Sequence, residues 1–186
     1  YFFTRLSCLL VLIGFFNSCT TASRPTQTKE PALKDVFKDH FSIGCLLSYA
    51  HVAPGTEGDK LIGQHMNTMS PGNNMKPDYI LNIAAAERAY NSAKAGDREK
   101  ANRTAIVSFP KNLIDQLNWA KDNNFGFRGH TLVWHSQTPT AFFREGWSKD
   151  GDFVSPEIMD ARLNSYIGEV MRLIHKDWPD MFIAMD

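Results

Sequence analysis

The sequence of 186 residues has only three cysteines, no net charge and no apolar run long enough to cross a membrane. So few cysteines argue against the disulfide framework of a small secreted scaffold. Twenty basic and twenty acidic residues give a formal net charge of +0, so no basic surface for nucleic acid is expected. With 43% hydrophobic residues, the chain can build a globular core, and we expect its partner to be uncharged.

The first 19 residues have the pattern of a bacterial export signal. Arg5 precedes an apolar run at residues 9–16, which is the length of a signal-peptide core and too short for a membrane-spanning helix. Ser18 before Cys19 is similar to a lipoprotein processing site. The match is imperfect, because such sites prefer an aliphatic residue three positions before the cysteine and this chain has Phe16. We predict a signal peptide at residues 1–19 with lipid on Cys19. The alternative is cleavage without lipidation. In either case we expect export to the cell surface, the outer membrane or the medium.

Residues 20–32 are rich in Thr, Ser and Pro and lack periodicity, which is typical of a flexible linker.

Cys8 would leave with the signal and Cys19 would carry the lipid, so Cys45 would be the single thiol of the folded domain. It could form no internal disulfide. Its apolar surroundings predict a buried thiol that acts as a small hydrophobic side chain.

Helical and extended patterns alternate along the rest of the chain. Residues 108–121 predict a helix with Ser108 as the N-cap, and Ser155 with Pro156 opens a second helix that ends near Lys176. A strand is expected from Phe182. Before these elements, residues 81–104 predict a helix from Ala84 followed by a solvated excursion. Strands separated by amphipathic helices indicate a parallel sheet.

The most informative segment is 129–139, Gly-His-Thr-Leu-Val-Trp-His-Ser-Gln-Thr-Pro. Its β-branched and apolar residues predict a strand. Alternation along that strand would point His130 and Trp134 to one face and His135 and Gln137 to the other, which argues against a zinc pair of His130 and His135. Imidazole, indole and amide groups together suit a sugar ring.

This segment resembles the third-strand signature of glycoside hydrolase family 10, the endo-β-1,4-xylanases. The resemblance extends over residues 33–186, because further segments match in the right order: 41–44 the first strand, 65–69 the second strand, 73–77 the turn after it, 125–128 the approach to the third strand, and 182–186 the start of the fourth. It implies an α/β fold, the (β/α)8 TIM barrel, of which about the first four strands are present.

The resemblance also implies which residues contact substrate. Asn73 and Lys76 match positions that hold xylose on the non-reducing side of the scissile bond, and His130, Trp134 and Gln137 match positions around the sugar that is cleaved. We add His135 as a substrate-binding candidate, because it lies in the same motif. Xylan or a xylo-oligosaccharide is the implied partner, without cofactor or metal, and we expect a monomer when the barrel is complete.

No catalytic residue is assigned within the chain. Retaining glycosidases need two carboxyl groups about 5 to 5.5 Å apart, and the family places its acid/base a few residues beyond Asp186 and its nucleophile on the seventh strand. Since the barrel typically needs about 250 residues, we expect this chain to be an inactive portion of a retaining endo-β-1,4-xylanase. Glu145, Glu157 and Glu169 are predicted to be solvated surface charges.

Three positions depart from the family pattern. Gly72 stands where the family has a glutamate, Ala141 where a tryptophan is common, and Met185 where a tryptophan precedes the aspartate. Losing one hydrogen bond to a neutral partner costs on the order of 1 kcal/mol, so Gly72 predicts weaker substrate binding. The alternative function is a non-catalytic surface protein that binds xylan on a decayed barrel. A structural lipoprotein without a sugar site would require the 129–139 motif to be coincidence.

Overall fold

The computed structural model describes residues 30–186, and Pro31–Asp186 forms a compact unit. The predicted signal peptide, Cys19 and nearly all of the predicted linker lie outside the described residues. Within residues 30–186, no helix combines the length and the apolar composition that a membrane span requires.

Helices and short strands alternate along the described chain. The α-helices are α1 Leu33–Val36, α2 Glu57–His65, α3 Pro77–Ile80, α4 Ile83–Ser92, α5 Arg98–Arg103, α6 Lys111–Asp122 and α7 Pro156–Asp177. The strands are β1 Gly44–Leu46, β2 Thr68–Ser70, β3 Gly126–Gly129 and β4 Phe182–Met185. Short 3-10 helices occur at Tyr49–Val52, Gly72–Met75, Thr140–Phe143 and Glu145–Trp147.

The four strands form one parallel sheet in the order β1-β2-β3-β4. Gly44 pairs with Thr68, Thr68 with Gly126, and Phe127 with Phe182. Each connection contains at least one helix, so the prediction of a parallel sheet with helical crossovers is confirmed. All four strands therefore end at the same edge of the sheet, where the loops that follow them meet.

Local sequence explains where three of the helices described in residues 30–186 begin. The Thr56, Asn82 and Ser155 side chains accept hydrogen bonds from backbone amides in the first turns of α2, α4 and α7. The predicted Ser155 start is confirmed. The predicted Ser108 cap is wrong, because α6 begins at Lys111 with Pro110 at the N-cap position, and the Ser108 hydroxyl instead accepts from the Asn82 side chain.

The predicted strand over 131–133 is also wrong. The described strand β3 ends at Gly129, and the chain bends through residues 132–138. The propensity of Thr131, Leu132 and Val133 is overridden because β2 has already ended at Ser70, so no neighbour remains on that side to continue the ladder. The first and second strands likewise lie at Gly44–Leu46 and Thr68–Ser70, a few residues later than the motif pattern predicted.

The predicted solvated excursion after α4 is confirmed for residues 94–100, which are all exposed. The prediction missed α5, on which Asn102 is only 4% exposed. The Asn102 side chain accepts from the Gly146 amide and from Arg162, and it donates to Glu145. These partners lie 43 to 60 residues away in sequence. Local periodicity therefore gives no sign that Asn102 is buried.

The core lies between the sheet and helices α6 and α7. Leu113 and Leu117 on α6, Val170 and Ile174 on α7, and Phe127 on β3 are fully buried. Burying a large aliphatic or aromatic side chain contributes roughly 1.5 to 3 kcal/mol. These side chains hold α6 and α7 against the sheet.

We expect Leu117→Ala to destabilise the complete protein by about 2 to 5 kcal/mol, because the side chain is 0% exposed and its removal leaves a cavity. Leu61→Ala on α2 is the matched control, since Leu61 is 56% exposed and should cost well under half as much. Urea unfolding of both variants tests this, and equal losses would contradict the described packing of α6.

Candidate functional site

Polar and aromatic side chains gather where β2, β3 and β4 end. Lys76 follows the 3-10 helix after β2, the 130–139 segment follows β3, and Asp186 follows β4. The edge is the one at which parallel barrels build their sites. The sequence prediction that the informative residues share this edge is confirmed.

Lys76, Trp134 and Gln137 form one cluster. The Lys76 ammonium donates a hydrogen bond to the Gln137 side-chain oxygen and lies 5.6 Å from the centroid of the Trp134 ring. Lys76 is 9% exposed, whereas Trp134 is 40% exposed. A cation so close to an indole is attracted to it by about 0.5 to 2 kcal/mol. The cluster thus holds an ammonium and an amide beside an aromatic ring that solvent can reach.

The bend in the 130–139 segment brings both histidines to Trp134. The His130 and Trp134 ring centroids are 5.4 Å apart, and those of Trp134 and His135 are 4.6 Å apart. The expectation that His130 and Trp134 lie together is confirmed. The expectation that His135 and Gln137 point away is wrong, because the segment is not a strand and alternation does not apply to it.

His130 is held by an ion-paired carboxylate that sequence reasoning missed. His130 Nδ1 lies 2.9 Å from Asp186 Oδ2, while Arg128 Nε and Nη2 donate to Asp186 Oδ1 at 3.1 and 2.8 Å. The Asp186 and Gly129 backbones are also bonded, since the Asp186 amide donates to the Gly129 carbonyl at 3.1 Å. Arg128 and His130 are two apart along the chain, a strand-like spacing that could have indicated a shared face.

The His130 and Arg128 hydrogen bonds lower the pKa of the Asp186 carboxyl below its ordinary value of 3.8. A depressed folded-state pKa stabilises the fold above the unfolded pKa, and the contribution disappears as the pH falls through the folded value. In the complete protein, the melting temperature of wild type minus that of Asp186→Asn should therefore be positive at pH 6 and shrink below about pH 4. A difference independent of pH would contradict this ion pair.

Asn73 has a different setting. It is exposed on the 3-10 helix Gly72–Met75, and its carbonyl accepts from the Lys76 amide at 2.9 Å. Beneath it, Asn74 Nδ2 donates to Gln116 Oε1 at 2.9 Å and Gln116 Nε2 to the Leu47 carbonyl at 2.6 Å. The buried Gln116 and the half-buried Asn74 thus hold the turn that presents Asn73 and Lys76.

The three departures from the family pattern occupy defined environments. Gly72 has φ of +62°, a backbone conformation that favours glycine, and a Cβ there would lie 3.4 Å from the Leu46 side chain. Ala141 is buried in Thr140–Phe143. Met185 packs closely over Gly129.

Cys45 is half-buried on β1, and burial raises the pKa of its thiol.

The glutamates inspected as catalytic candidates lie elsewhere. Glu157 is exposed in the first turn of α7, and Glu169 pairs with Arg172 at 2.7 Å. The prediction of a solvated charge is wrong for Glu145, which is partly buried and accepts from Asn102 Nδ2 at 2.6 Å. Among residues 30–186, no three His, Cys, Asp or Glu side chains are grouped as metal ligands.

Comparison with known proteins shows the same family at each level. The model for glycosyl hydrolase family 10 matches residues 32–180. Endo-1,4-beta-xylanase B of Butyrivibrio fibrisolvens is 35% identical over 156 residues, covering 83% of this chain and 23% of that protein. Endo-1,4-beta-xylanase Y of Acetivibrio thermocellus is 34% identical over 149 residues, covering 80% and 12%.

Solved structures agree with the sequence relatives. The CBM22-1 and GH10 modules of xylanase 10B from Clostridium thermocellum, complexed with xylohexaose, align with a TM-score of 0.70 and 33% identity over 83% of this chain and 27% of that one. An intracellular xylanase from Thermoanaerobacterium saccharolyticum with xylotetraose, at 24% identity and TM-score 0.65, shows the fold alone over 86% and 43%.

This chain therefore covers less than a quarter of the two sequence relatives. Its four parallel strands with flanking helices are part of a (β/α)8 barrel, as the resemblance implied. The family match spans well over half of the chain, from the residue before α1 to two residues before β4. This chain belongs to glycosyl hydrolase family 10.

Proposed function

We propose that the protein containing this chain is a retaining endo-β-1,4-xylanase, and that residues 30–186 supply part of its substrate-binding cleft. The observation that carries the proposal is the convergence of Lys76, Trp134, Gln137 and His130 at the strand ends. The matched relatives are named as endo-1,4-beta-xylanases, and one matched structure is complexed with xylohexaose.

The cluster suits a neutral pyranose chain. An exposed indole offers a flat face to the apolar C–H surface of a sugar, and Trp134 is 40% exposed. Lys76, Gln137 and the two histidines can exchange hydrogen bonds with vicinal hydroxyls. We assign substrate contacts to Asn73, Lys76, His130, Trp134, His135 and Gln137.

The reaction needs an acid and a nucleophile that residues 30–186 do not supply in this cleft. Asp186 is engaged by Arg128 and His130. The proposed division is therefore that this chain binds and orients xylose units, while two carboxyl groups from the remainder of the barrel carry out double displacement through a covalent glycosyl-enzyme.

Export is a separate part of the proposal. Residues 1–19 carry the signal-peptide pattern, and Cys19 is the proposed lipid acceptor. An extracellular or surface location fits a polymeric substrate that cannot enter a cell. Mass spectrometry of the mature N-terminus would separate a lipidated Cys19 from simple cleavage.

The second candidate is a xylan-binding protein that has lost catalysis. The replacements Gly72, Ala141 and Met185 favour it, because each removes a polar or aromatic group that the family pattern places there. Gly72 has a conformational reason of its own, since its φ of +62° disfavours any side chain. The aromatic and cationic groups of the cleft remain in place.

Assays on the complete protein distinguish these functions. We expect release of reducing sugar from xylan, with the β-anomer formed first when the products are followed by NMR, as retention requires. Retardation in a xylan-containing gel is the binding control. Binding without cleavage would favour the second candidate, and neither binding nor cleavage would contradict both.

A further inference from the structure

Arg162 is a charged side chain that is completely buried in the domain. It lies on α7, outside the candidate cleft, and is 0% exposed. Burial lowers the pKa of its guanidinium to about 10, so it stays protonated at neutral pH. Burying a charge is costly unless hydrogen bonds compensate it. The hydrogen-bond partners of Arg162 therefore indicate the role of this side chain.

The guanidinium binds one short stretch of backbone. Arg162 Nη1 donates to the carbonyls of Phe142 at 2.8 Å, Arg144 at 2.9 Å and Ala141 at 3.4 Å. These carbonyls belong to the loop after β3, at and just beyond the 3-10 helix Thr140–Phe143. A single planar group thus gathers the oxygens of this turn.

The remaining donors attach the same group to α5. Arg162 Nε and Nη2 donate to the backbone and side-chain oxygens of Asn102, both at 2.6 Å. Asn102 in turn donates to Glu145 Oε2 at 2.6 Å, and the Trp147 ring centroid lies 3.9 Å from the guanidinium carbon. The loop is therefore fixed against two helices.

The loop fixed in this way is continuous with the candidate cleft. Pro139 ends the segment that carries Trp134 and Gln137, and its carbonyl accepts from the Phe142 amide at 2.9 Å. Near its other end the segment is bonded to the residue that follows β4, because the Leu132 amide donates to the Asp186 carbonyl at 3.0 Å. Between these two ends the segment has no regular secondary structure.

We propose that Arg162 is a positioning residue, which sets the path of segment 130–139 and thereby aims Trp134 and Gln137 at Lys76. It touches no substrate and acts through the loop carbonyls. The expected effect of Arg162 on xylan affinity rests on the proposed function. Its effect on the path of segment 130–139 does not. Lysine cannot substitute for it, because a single ammonium lacks the planar set of donors that reaches the loop and Asn102 together.

The test compares three variants of the complete protein at a temperature where each is folded. We expect Arg162→Lys to weaken xylohexaose binding about tenfold by calorimetry and to raise KM for xylan more than it lowers kcat. The Asp78 amide, which donates to the Gln137 carbonyl at 3.0 Å, should exchange with deuterium about tenfold faster. This amide reports on the segment without any ligand.

The other two of the three variants separate a positioning role from a general effect on stability. Val170→Ala removes a fully buried side chain two turns along α7 and should lower the melting temperature while leaving affinity and Asp78 exchange unchanged. Pro139→Gly loosens the link between the loop and the segment and should weaken binding and speed Asp78 exchange, although Arg162 is intact.

The outcomes are distinct. Wild-type affinity and wild-type Asp78 exchange in Arg162→Lys would overturn the inference, and so would equal losses of affinity in Val170→Ala. If Arg162→Lys does not fold, Pro139→Gly decides: unchanged affinity and exchange would overturn the inference. If wild type binds no xylohexaose, the proposed function fails, and Asp78 exchange alone decides whether Arg162 positions the segment.

Discussion

Replacing Trp134 with alanine in the complete protein is expected to lower kcat/KM for xylan by roughly 100-fold, or about 2.7 kcal/mol of transition-state stabilisation. The change removes the exposed ring of the cleft and the surface that Lys76 faces at 5.6 Å. It also removes the shared neighbour of His130 and His135. If the sugar ring distorts toward an oxocarbenium-like transition state over this platform, kcat should fall as well as affinity.

The neighbouring residue provides the matched control. Val133 is 60% exposed beside Trp134, and Val133→Ala should leave kcat/KM within about twofold. Trp134→Phe keeps an aromatic face and should retain much more activity than Trp134→Ala. Steady-state kinetics per folded molecule, with folding checked by circular dichroism, measure the effect. Wild-type turnover in Trp134→Ala would mean that the ring only packs against its neighbours.

Residues 20–186 expressed alone are expected to show no cooperative thermal transition and no xylan hydrolysis. Within the described residues, β1 and β4 each pair on one side only. Leu46 on β1 is 65% exposed and Ile183 on β4 is 58% exposed. Unpaired strand edges with apolar side chains are templates for association with other chains.

The energetic margin points the same way. Whole domains are stable by only about 5 to 15 kcal/mol, and a barrel interior is filled in layers that alternate strands contribute together. Without the partners of those layers, the inward faces of β1 to β4 are expected to lose packing worth more than that margin. Calorimetry and a reducing-sugar assay test this, with the complete protein as control. A sharp melting transition would refute the folding part, and measurable cleavage would refute the location of catalysis outside this chain.

Family membership and the parallel sheet could both be predicted without coordinates. The 129–139 motif is long and specific, and the motifs around it occur in order. Helix α7 could also be placed well, because Ser155 and Pro156 are strong start signals and its apolar stripe is long. Local chemistry suffices when a pattern extends over several turns.

Strand ends and side-chain directions could not be predicted in the same way. Thr131, Leu132 and Val133 have strand propensity, yet β3 ends at Gly129 because its neighbour β2 ends at Ser70. The bend that follows changed the predicted orientation of His135 and Gln137. A strand exists only where a neighbour supplies hydrogen bonds, and the neighbour comes from a distant part of the chain.

The sequence by itself determined the chemistry available to the cleft and the order of the elements that carry it, because residue types and helical periodicity are local properties. Only the tertiary structure decided which groups meet: Lys76 with Gln137, His130 with Asp186, and Arg162 with the loop of Phe142 and Arg144. Each of these contacts joins segments 18 to 61 residues apart. Their closeness depends on strand register and helix packing, in which the whole domain takes part.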